Sequence, residues 1–238
     1  MENTTFELTS ELTEVELTRL SAQFESETPQ AILEWSLEEF GQDVALATGF
    51  GAEGCVLVHM LAQINPKARM FYLDTGLLFP ETYELKAKLE ARYGVQIERR
   101  ASRISVEAQA RIHGDRLWER EPNRCCQLRK IEPLVETLSD LRAWVTAIRR
   151  DQSVTRASSP IVSFDSKFDL IKINPLATWT SQDVWRFIFK HKIPYNPLHD
   201  QQYPSIGCTP CTTPVQIGEH SRAGRWRGTE KTECGLHR

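Results

Sequence analysis

The chain has 238 residues, 40% apolar, 26% charged and 9% aromatic, the proportions of one globular domain able to bury a sizeable core. No stretch approaches the roughly 20 apolar residues that a membrane-spanning helix needs, and Met1-Glu2-Asn3-Thr4 lacks the basic region of a secretion signal, so a soluble cytoplasmic protein with no membrane partner is expected. The formal charge of −3 hides an asymmetry: residues 1–43 hold 11 acidic residues and one basic residue, Arg19, leaving 28 basic against 21 acidic in the remainder, an excess that suits a small anion and is too mild for nucleic acid.

No repeat, low-complexity tract or Gly/Ser linker divides the chain. Apolar residues at Leu12, Val15, Leu17, Leu20 and Phe24 form a rough helical stripe between Leu8 and Phe24, and Pro29 opens a second helical segment with Ile32, Leu33, Trp35 and Leu37. The pattern then changes to short apolar runs alternating with helical stretches. Val44 to Thr48 reads as a buried strand, followed by the turn Gly49-Phe50-Gly51-Ala52-Glu53-Gly54 and an apolar helix from Cys55 to Ile64. Met70 to Leu73 reads as a strand ending in Asp74-Thr75-Gly76. A helix from Pro80 to Tyr93 is stopped by Gly94, and Val95 to Ile97 is expected to be the next strand. Ala143 to Ile148 is a further strand, running into Arg149-Arg150-Asp151-Gln152-Ser153, and Thr180 with Asp183 resembles a capping box opening a helix through Lys190. Strands alternating with helices predict an α/β fold, a single-domain open and mostly parallel sheet flanked by helices. Ligands of such sheets sit beyond the C-terminal strand ends, where Gly49 to Gly54, Asp74 to Gly76 and Arg149 to Arg150 fall.

Three segments carry chemistry. The glycine turn allows close backbone approach and puts helix-start amides on an anion, but it fits neither the dinucleotide fingerprint nor the Walker phosphate loop. Six cysteines are too sparse for a disulfide scaffold. Cys125-Cys126 with Cys208-Thr209-Pro210-Cys211 offers four thiolates, suited to zinc or an iron–sulfur cluster. Adjacent cysteines are less usual around zinc, and the thioredoxin-like look of Cys-Thr-Pro-Cys is at odds with its late position in a Pro-rich loop. Cys234 lies in a tail with five basic side chains and two histidines between Glu219 and Arg238, surroundings that favour a nucleophilic thiolate. Cys55, among Val56, Leu57 and Val58, reads as core, and His59, His113, His191 and His199 are not spaced as ligands.

Together the motifs Phe50-Gly51-Ala52-Glu53, Leu73-Asp74-Thr75-Gly76, Cys125-Cys126-x-x-Arg129-Lys130, Arg149-Arg150-x-Gln152-Ser153, Cys208-Thr209-x-Cys211-Thr212 and Lys231-Thr232-Glu233-Cys234-Gly235-Leu236-His237 resemble the assimilatory adenylyl-sulfate reductases over about residues 40–238. The resemblance implies a nucleotide-binding fold related to the ATP pyrophosphatases, a [4Fe-4S] cluster, and reduction of adenosine 5′-phosphosulfate (APS) to sulfite and AMP in sulfate assimilation and cysteine biosynthesis. It implies Cys125, Cys126, Cys208 and Cys211 as cluster ligands and Cys234 as the nucleophile that leaves an S-sulfocysteine. It further implies Lys130, Arg222, Arg225 and His237 at the phosphosulfate, and Gly51, Gly54, Asp74, Thr75, Gly76, Arg149 and Arg150 at the nucleotide. Thioredoxin or a similar dithiol on another chain would release sulfite; a homo-oligomer is compatible with the sequence. The corresponding division is a helical segment at 1–40, a nucleotide-binding and iron–sulfur reductase domain at 41–220, and a mobile tail at 221–238. Two positions depart from the family pattern, Gly49 where many relatives carry Ser and Ala147 where they carry Gly. The alternatives are a reductase of the 3′-phosphorylated nucleotide (PAPS) or of both, an RNA-thiolating protein of the same fold, disfavoured by the lack of Ser-Gly-Gly-x-Asp-Ser at the first loop, and a zinc-stabilised binding module.

Overall fold

A computed structural model describes residues 12–231 and 233–236. In chain order its elements are α1 (Glu14–Gln23), α2 (Pro29–Phe40), β1 (Val44–Ala47), α3 (Ala52–Ile64), β2 (Arg69–Asp74), α4 (Pro80–Tyr93), β3 (Glu98–Ala101), α5 (Val106–His113), α6 (Leu117–Arg120), α7 (Pro122–Cys126), α8 (Glu132–Leu138), β4 (Ala143–Val145), β5 (Val162–Asp165), β6 (Leu170–Ile173) and α9 (Ser181–His191). Local chemistry sets several boundaries. Thr13 and Glu16 form a capping box at α1, Thr28 accepts from the Ala31 amide ahead of Pro29, Gly94 ends α4 in the left-handed region at φ 65°, and Thr180 and Asp183 cap α9 as expected.

The six strands run in the order β3-β2-β1-β4-β6-β5, all parallel except β5, which pairs antiparallel with β6. The expected open, mostly parallel α/β sheet is borne out. Alternation sorts its side chains onto two faces. Val44, Leu46, Met70, Tyr72, Ala143 and Val145 join the core shared with α2, α3 and α9, whereas Ala45, Phe71 and Trp144 pack with Leu134 and Leu138 of α8 on the other face. Helix α3 is buried from Gly54 to Val58 and again at Met60, Leu61 and Ala62, which its nearly unbroken apolar sequence requires. Leu17, Ile32 and Leu33 belong to that same core, so α1 and α2 pack on the sheet's own hydrophobic layer; Val15 faces water, 79% exposed, and is not part of the stripe.

One strand is corrected. The third strand is Glu98–Ala101, not Val95 to Ile97. Val95 and Ile97 are buried core side chains, but the Ile97 amide donates to Glu90 Oε1 at 2.8 Å and is taken out of any ladder. Strand β4 is shorter than Ala143 to Ile148, and the residues after it leave the sheet to form the cleft wall.

Between Cys126 and Glu132 the helical path widens into a π-turn, Gln127–Ile131, with the Glu132 amide reaching back five residues to the Gln127 carbonyl. Pro133 has no amide for the Arg129 carbonyl, so a normal helical bond there is unavailable. The turn carries Arg129 and Lys130 into the site described next. Among the described residues no helix is long and apolar enough to cross a membrane.

Candidate active site

Strand β1 connects through α3 to β2 on one side, while β4 lies on its other side, making the carboxyl ends of β1 and β4 the switch point of the sheet. A cavity of about 620 Å³ opens there, bordered by Thr48, Gly49, Gly51, Gly54, Leu73, Thr75, Ala147 and Arg149. Phe50 adopts φ 57° and is 1% exposed, its ring set 5.3 Å from that of Tyr72. That buried anchor turns the chain so that the Thr48 hydroxyl accepts from the Phe50 amide at 3.1 Å and Gly51 starts α3. A Cβ at Gly54 would stand 2.6 Å from Thr48 Oγ1. Gly54→Ala is therefore expected to lower stability by about 1–3 kcal/mol, measured by urea unfolding, because Thr48 must release Phe50 or α3 must shift.

Asp74 is buried and does not border the cleft; it builds the turn from behind. Its carboxylate accepts from the Gly76 amide at 2.8 Å, Tyr83 Oη at 2.7 Å and Arg99 Nε at 2.5 Å. Burial opposes its charge, but the bonds from Arg99, Tyr83 and Gly76 outweigh that and hold it below the ordinary carboxylate range. Gly76, at φ 67°, lies against Arg129 and Val106 and likewise stays out of the cleft. Thr75 does border it.

Arg149 is buried and donates Nε to Glu53 Oε1 at 2.9 Å, with Nη2 at 2.9 Å from the same oxygen and Nη1 against Asp151. Gln152 also donates to Glu53, at 3.1 Å, and accepts from Arg156 at 2.6 Å. Arg150 departs from expectation. Its guanidinium turns to Glu25, at 2.8 and 2.5 Å, and to the Ser159 carbonyl, tying the 150s segment to the turn after α1 and not to the cleft.

The four cysteines expected as ligands line one cavity, together with Thr75, Trp118, Arg129, Lys130 and Trp226. They arrive from α7 and from the turn Thr209–Cys211, which is anchored by a bridge between Leu78 and Cys208 and by the Thr209 amide on the Leu77 carbonyl at 2.8 Å. The Thr75 hydroxyl lies 3.3 Å from Cys208 Sγ. Burial pushes the thiols of Cys125, Cys126 and Cys211 up, Cys211 to about 11. Among the described residues no three His, Cys, Asp or Glu side chains are grouped as ligands of a single metal ion. Cys55 is buried at 0% exposure and held up by burial, the core thiol expected.

Lys130 borders both cavities. Burial works against its ammonium, but the sulfurs of Cys208, Cys234 and Cys126 outweigh this and raise it. Cys234 borders the larger cleft beside Arg222 and Arg225. Arg225 stacks 4.5 Å over the Trp226 ring, and the Trp226 amide donates to the Cys211 carbonyl at 3.0 Å, so the tail is pinned to the cysteine turn. Leu236 packs against the hydrophobic cluster of Ala45, Phe71, Trp144, Leu134 and Leu138. His237 lies outside the described residues.

Sequence reasoning assigned no role to Arg156, Glu53 or Glu233. Arg156 and Glu53 border the cleft; Glu233 is bonded to Arg156 and Arg222. Two of the three stand inside quoted motifs, but Arg156 has no spacing signal at all.

A mostly parallel α/β sheet carries at its switch point a cleft lined by Lys130, Arg149, Arg222 and Arg225, with one thiol at the cleft and four further thiols behind it, an arrangement suited to an anionic ligand beside a thiol. The phosphoadenosine phosphosulfate reductase domain model matches residues 43–214. An adenosine 5′-phosphosulfate reductase of Salinibacter ruber is 53% identical over 222 residues, 93% of this chain and 88% of that protein. One of Bacillus cereus is 45% identical, covering 97% of this chain and 99% of its own. The solved phosphoadenylyl-sulfate reductase of Candida auris in a phosphate complex superposes with TM-score 0.78 at 29% identity, over 86% of this chain and 99% of that one. Candida glabrata FMN adenylyltransferase, at TM-score 0.58 and 16% identity over 87% and 70%, shares the fold alone. This chain belongs to the phosphoadenosine phosphosulfate reductase domain family, and its expected class, an enzyme reducing a sulfur group, is borne out.

Proposed function

We propose that this chain reduces APS to sulfite and AMP, with Cys234 as nucleophile and thioredoxin or a similar dithiol as reductant. The observation that carries the reading is Lys130, a cation facing at once the cleft that Cys234 borders and the cavity of the four other thiols. The names of the Salinibacter and Bacillus relatives favour the nucleotide without a 3′-phosphate.

Attack by a thiolate on a sulfate sulfur brings two anions together, so cations must offset their repulsion and the charge growing on the leaving phosphate. Lys130, Arg222 and Arg225 are proposed for this, with His237 as a fourth contact, and Gly51, Gly54, Thr75 and Arg149 for the nucleotide. The Cys234 electron pair forms the new S–S bond, the bond from sulfur to the bridging oxygen breaks, and AMP leaves with that pair. One thiol of the reductant then attacks Cys234 Sγ and displaces sulfite; its second thiol frees Cys234. The dithiol becomes a disulfide, and sulfur has gained two electrons.

The donor set behind Lys130 suits a [4Fe-4S] cluster: all four ligands are thiols and share one cavity. Such a cluster spreads its ligands over four irons, whereas a lone zinc needs every sulfur about 2.3 Å from one point. Cys125, Cys126, Cys208 and Cys211 would hold it, and when bound it would supply cross-linking of two chain segments, α7 and the 208–211 turn, and an electrostatic influence on Lys130. The covalent step and the dithiol already balance the electrons. A reducing cytoplasm fits a chain whose six cysteines are all free.

The test is sulfite release by anaerobically purified protein offered APS and PAPS separately with thioredoxin. Sulfite from APS alone is expected, comparable rates would make the enzyme dual, and none from either would refute the reading. Cys208→Ala is expected to lose the brown colour, iron and labile sulfide together; one equivalent of zinc and no iron in the parent protein would refute the cluster.

A further inference from the structure

Glu233 is the residue immediately before the proposed nucleophile, and its side chain is 6% exposed. An isolated buried carboxylate is strongly disfavoured, so its partners decide what it does. Arg156 donates Nε to Oε1 at 3.2 Å and Nη2 to Oε2 at 3.0 Å, a two-pronged grip. Arg222 adds Nη2 on Oε2 at 2.9 Å, and the Thr155 hydroxyl lies 3.5 Å from Oε1. Both arginine side chains are themselves largely buried, at 12% and 16% exposed.

On the far side of Cys234 the fastening is of another kind. The Gly235 carbonyl accepts from Lys167, and Leu236 packs against the hydrophobic cluster that Ala45, Phe71 and Trp144 form with Leu134 and Leu138. Cys234 is thus slung between a buried ionic anchor and a small hydrophobic one. Arg156 in turn is bonded to Gln152, and Gln152 to Glu53 at the start of α3, which connects the anchor to the first loop of the cleft.

We propose that Glu233, gripped by Arg156 and Arg222, is a positioning residue that seats the tail and sets Cys234 over the cleft. The proposal rests on the reading of Cys234 as nucleophile for its catalytic consequence, though not for its effect on the tail. Because Arg222 is also a proposed phosphosulfate contact, the same carboxylate aligns a cation for the substrate. Neutralising Glu233 takes the carboxylate from two largely buried arginines, and removing Arg156 takes away its two-pronged grip, so either change should loosen the anchor. A misplacement of the nucleophile by about 1 Å is worth on the order of a hundredfold in rate.

The test uses the holoenzyme and two readouts. Trypsin places Cys234 alone among cysteines in the peptide of residues 232–238, so its alkylation by iodoacetamide can be followed by mass without counting activity. Glu233→Gln and Arg156→Gln are each expected to speed that alkylation about tenfold and to lower kcat between tenfold and a hundredfold. The double variant should be no worse than either single one, as for two halves of one contact. Unchanged alkylation in both single variants, or losses that add in the double, would overturn the proposal. Faster alkylation with unchanged kcat would leave the anchor standing and sink the nucleophile assignment instead. Iron content and thermal midpoint are measured alongside, and Glu233→Asp, which keeps the charge, is expected to recover part of the slow alkylation.

Discussion

Cys234→Ser should lose sulfite formation by about 10⁴-fold or more while binding APS within a few-fold of the parent protein. Removing the atom that forms the covalent bond abolishes a pathway and does not merely weaken it, so its effect exceeds that of any single contact. Ser at this position keeps the shape of the side chain but presents a far weaker nucleophile. The covalent step gives an independent readout. Incubated with APS and no reductant, the parent protein should gain the mass of one sulfonate group on the peptide of residues 232–238, and Cys234→Ser should gain none. Cys55→Ser is the control: that thiol is buried in α3, with the Phe50 carbonyl 3.8 Å away, and burial keeps it protonated. Labelling that follows Cys55, or that persists without Cys234, would end the proposed mechanism.

Much of the fold was legible because single residues enforce it. Pro80 and Gly94 bracket α4, Thr180 and Asp183 start α9, and the uninterrupted apolar runs of β1 and β2 can only be strands buried on both faces. What escaped depends on partners far along the chain. Residues 95–97 look like a strand, but Glu90 captures the Ile97 amide, and the strand forms instead at the charged edge sequence Glu98-Arg99-Arg100-Ala101. The hairpin of β5 and β6 turns through Asp169 at φ 58° and leaves Phe164 half exposed, so no clean alternation marked it. In the site, cysteines announce themselves by type and spacing, and all four converge. Arginines do not. Arg149 and Arg150 are neighbours in sequence, yet extended backbone at Arg149 sends one into the cleft and the other to Glu25. Arg156 meets Glu233 across 77 positions, a pairing no local pattern encodes.

Lys130→Gln is expected to reduce kcat by about 10²–10³-fold with a smaller change in nucleotide affinity. The reason lies in where its charge is held. The π-turn that Pro133 permits puts Lys130 at the wall between the thiol cavity and the cleft, and the raised ammonium stays charged even where burial opposes it. A fixed cation in a partly water-excluded site acts most on charge that develops during reaction, which in the proposed mechanism is the leaving phosphate oxygen and the sulfonate passing to Cys234. Its loss should therefore fall on kcat more than on binding. Lys86→Gln is the comparison, since that lysine pairs with Glu90 on α4 at 2.6 Å and borders neither cavity; its rate should match the parent. Lys130→Arg retains charge but replaces a compact ammonium by a broad planar group in a crowded wall, so partial activity is expected. Iron content separates two origins of the effect. Loss of kcat with iron retained assigns Lys130 to the reacting anions, whereas iron lost in proportion to activity would assign it to holding the four thiolates together, and the role proposed for it in the reaction would fall.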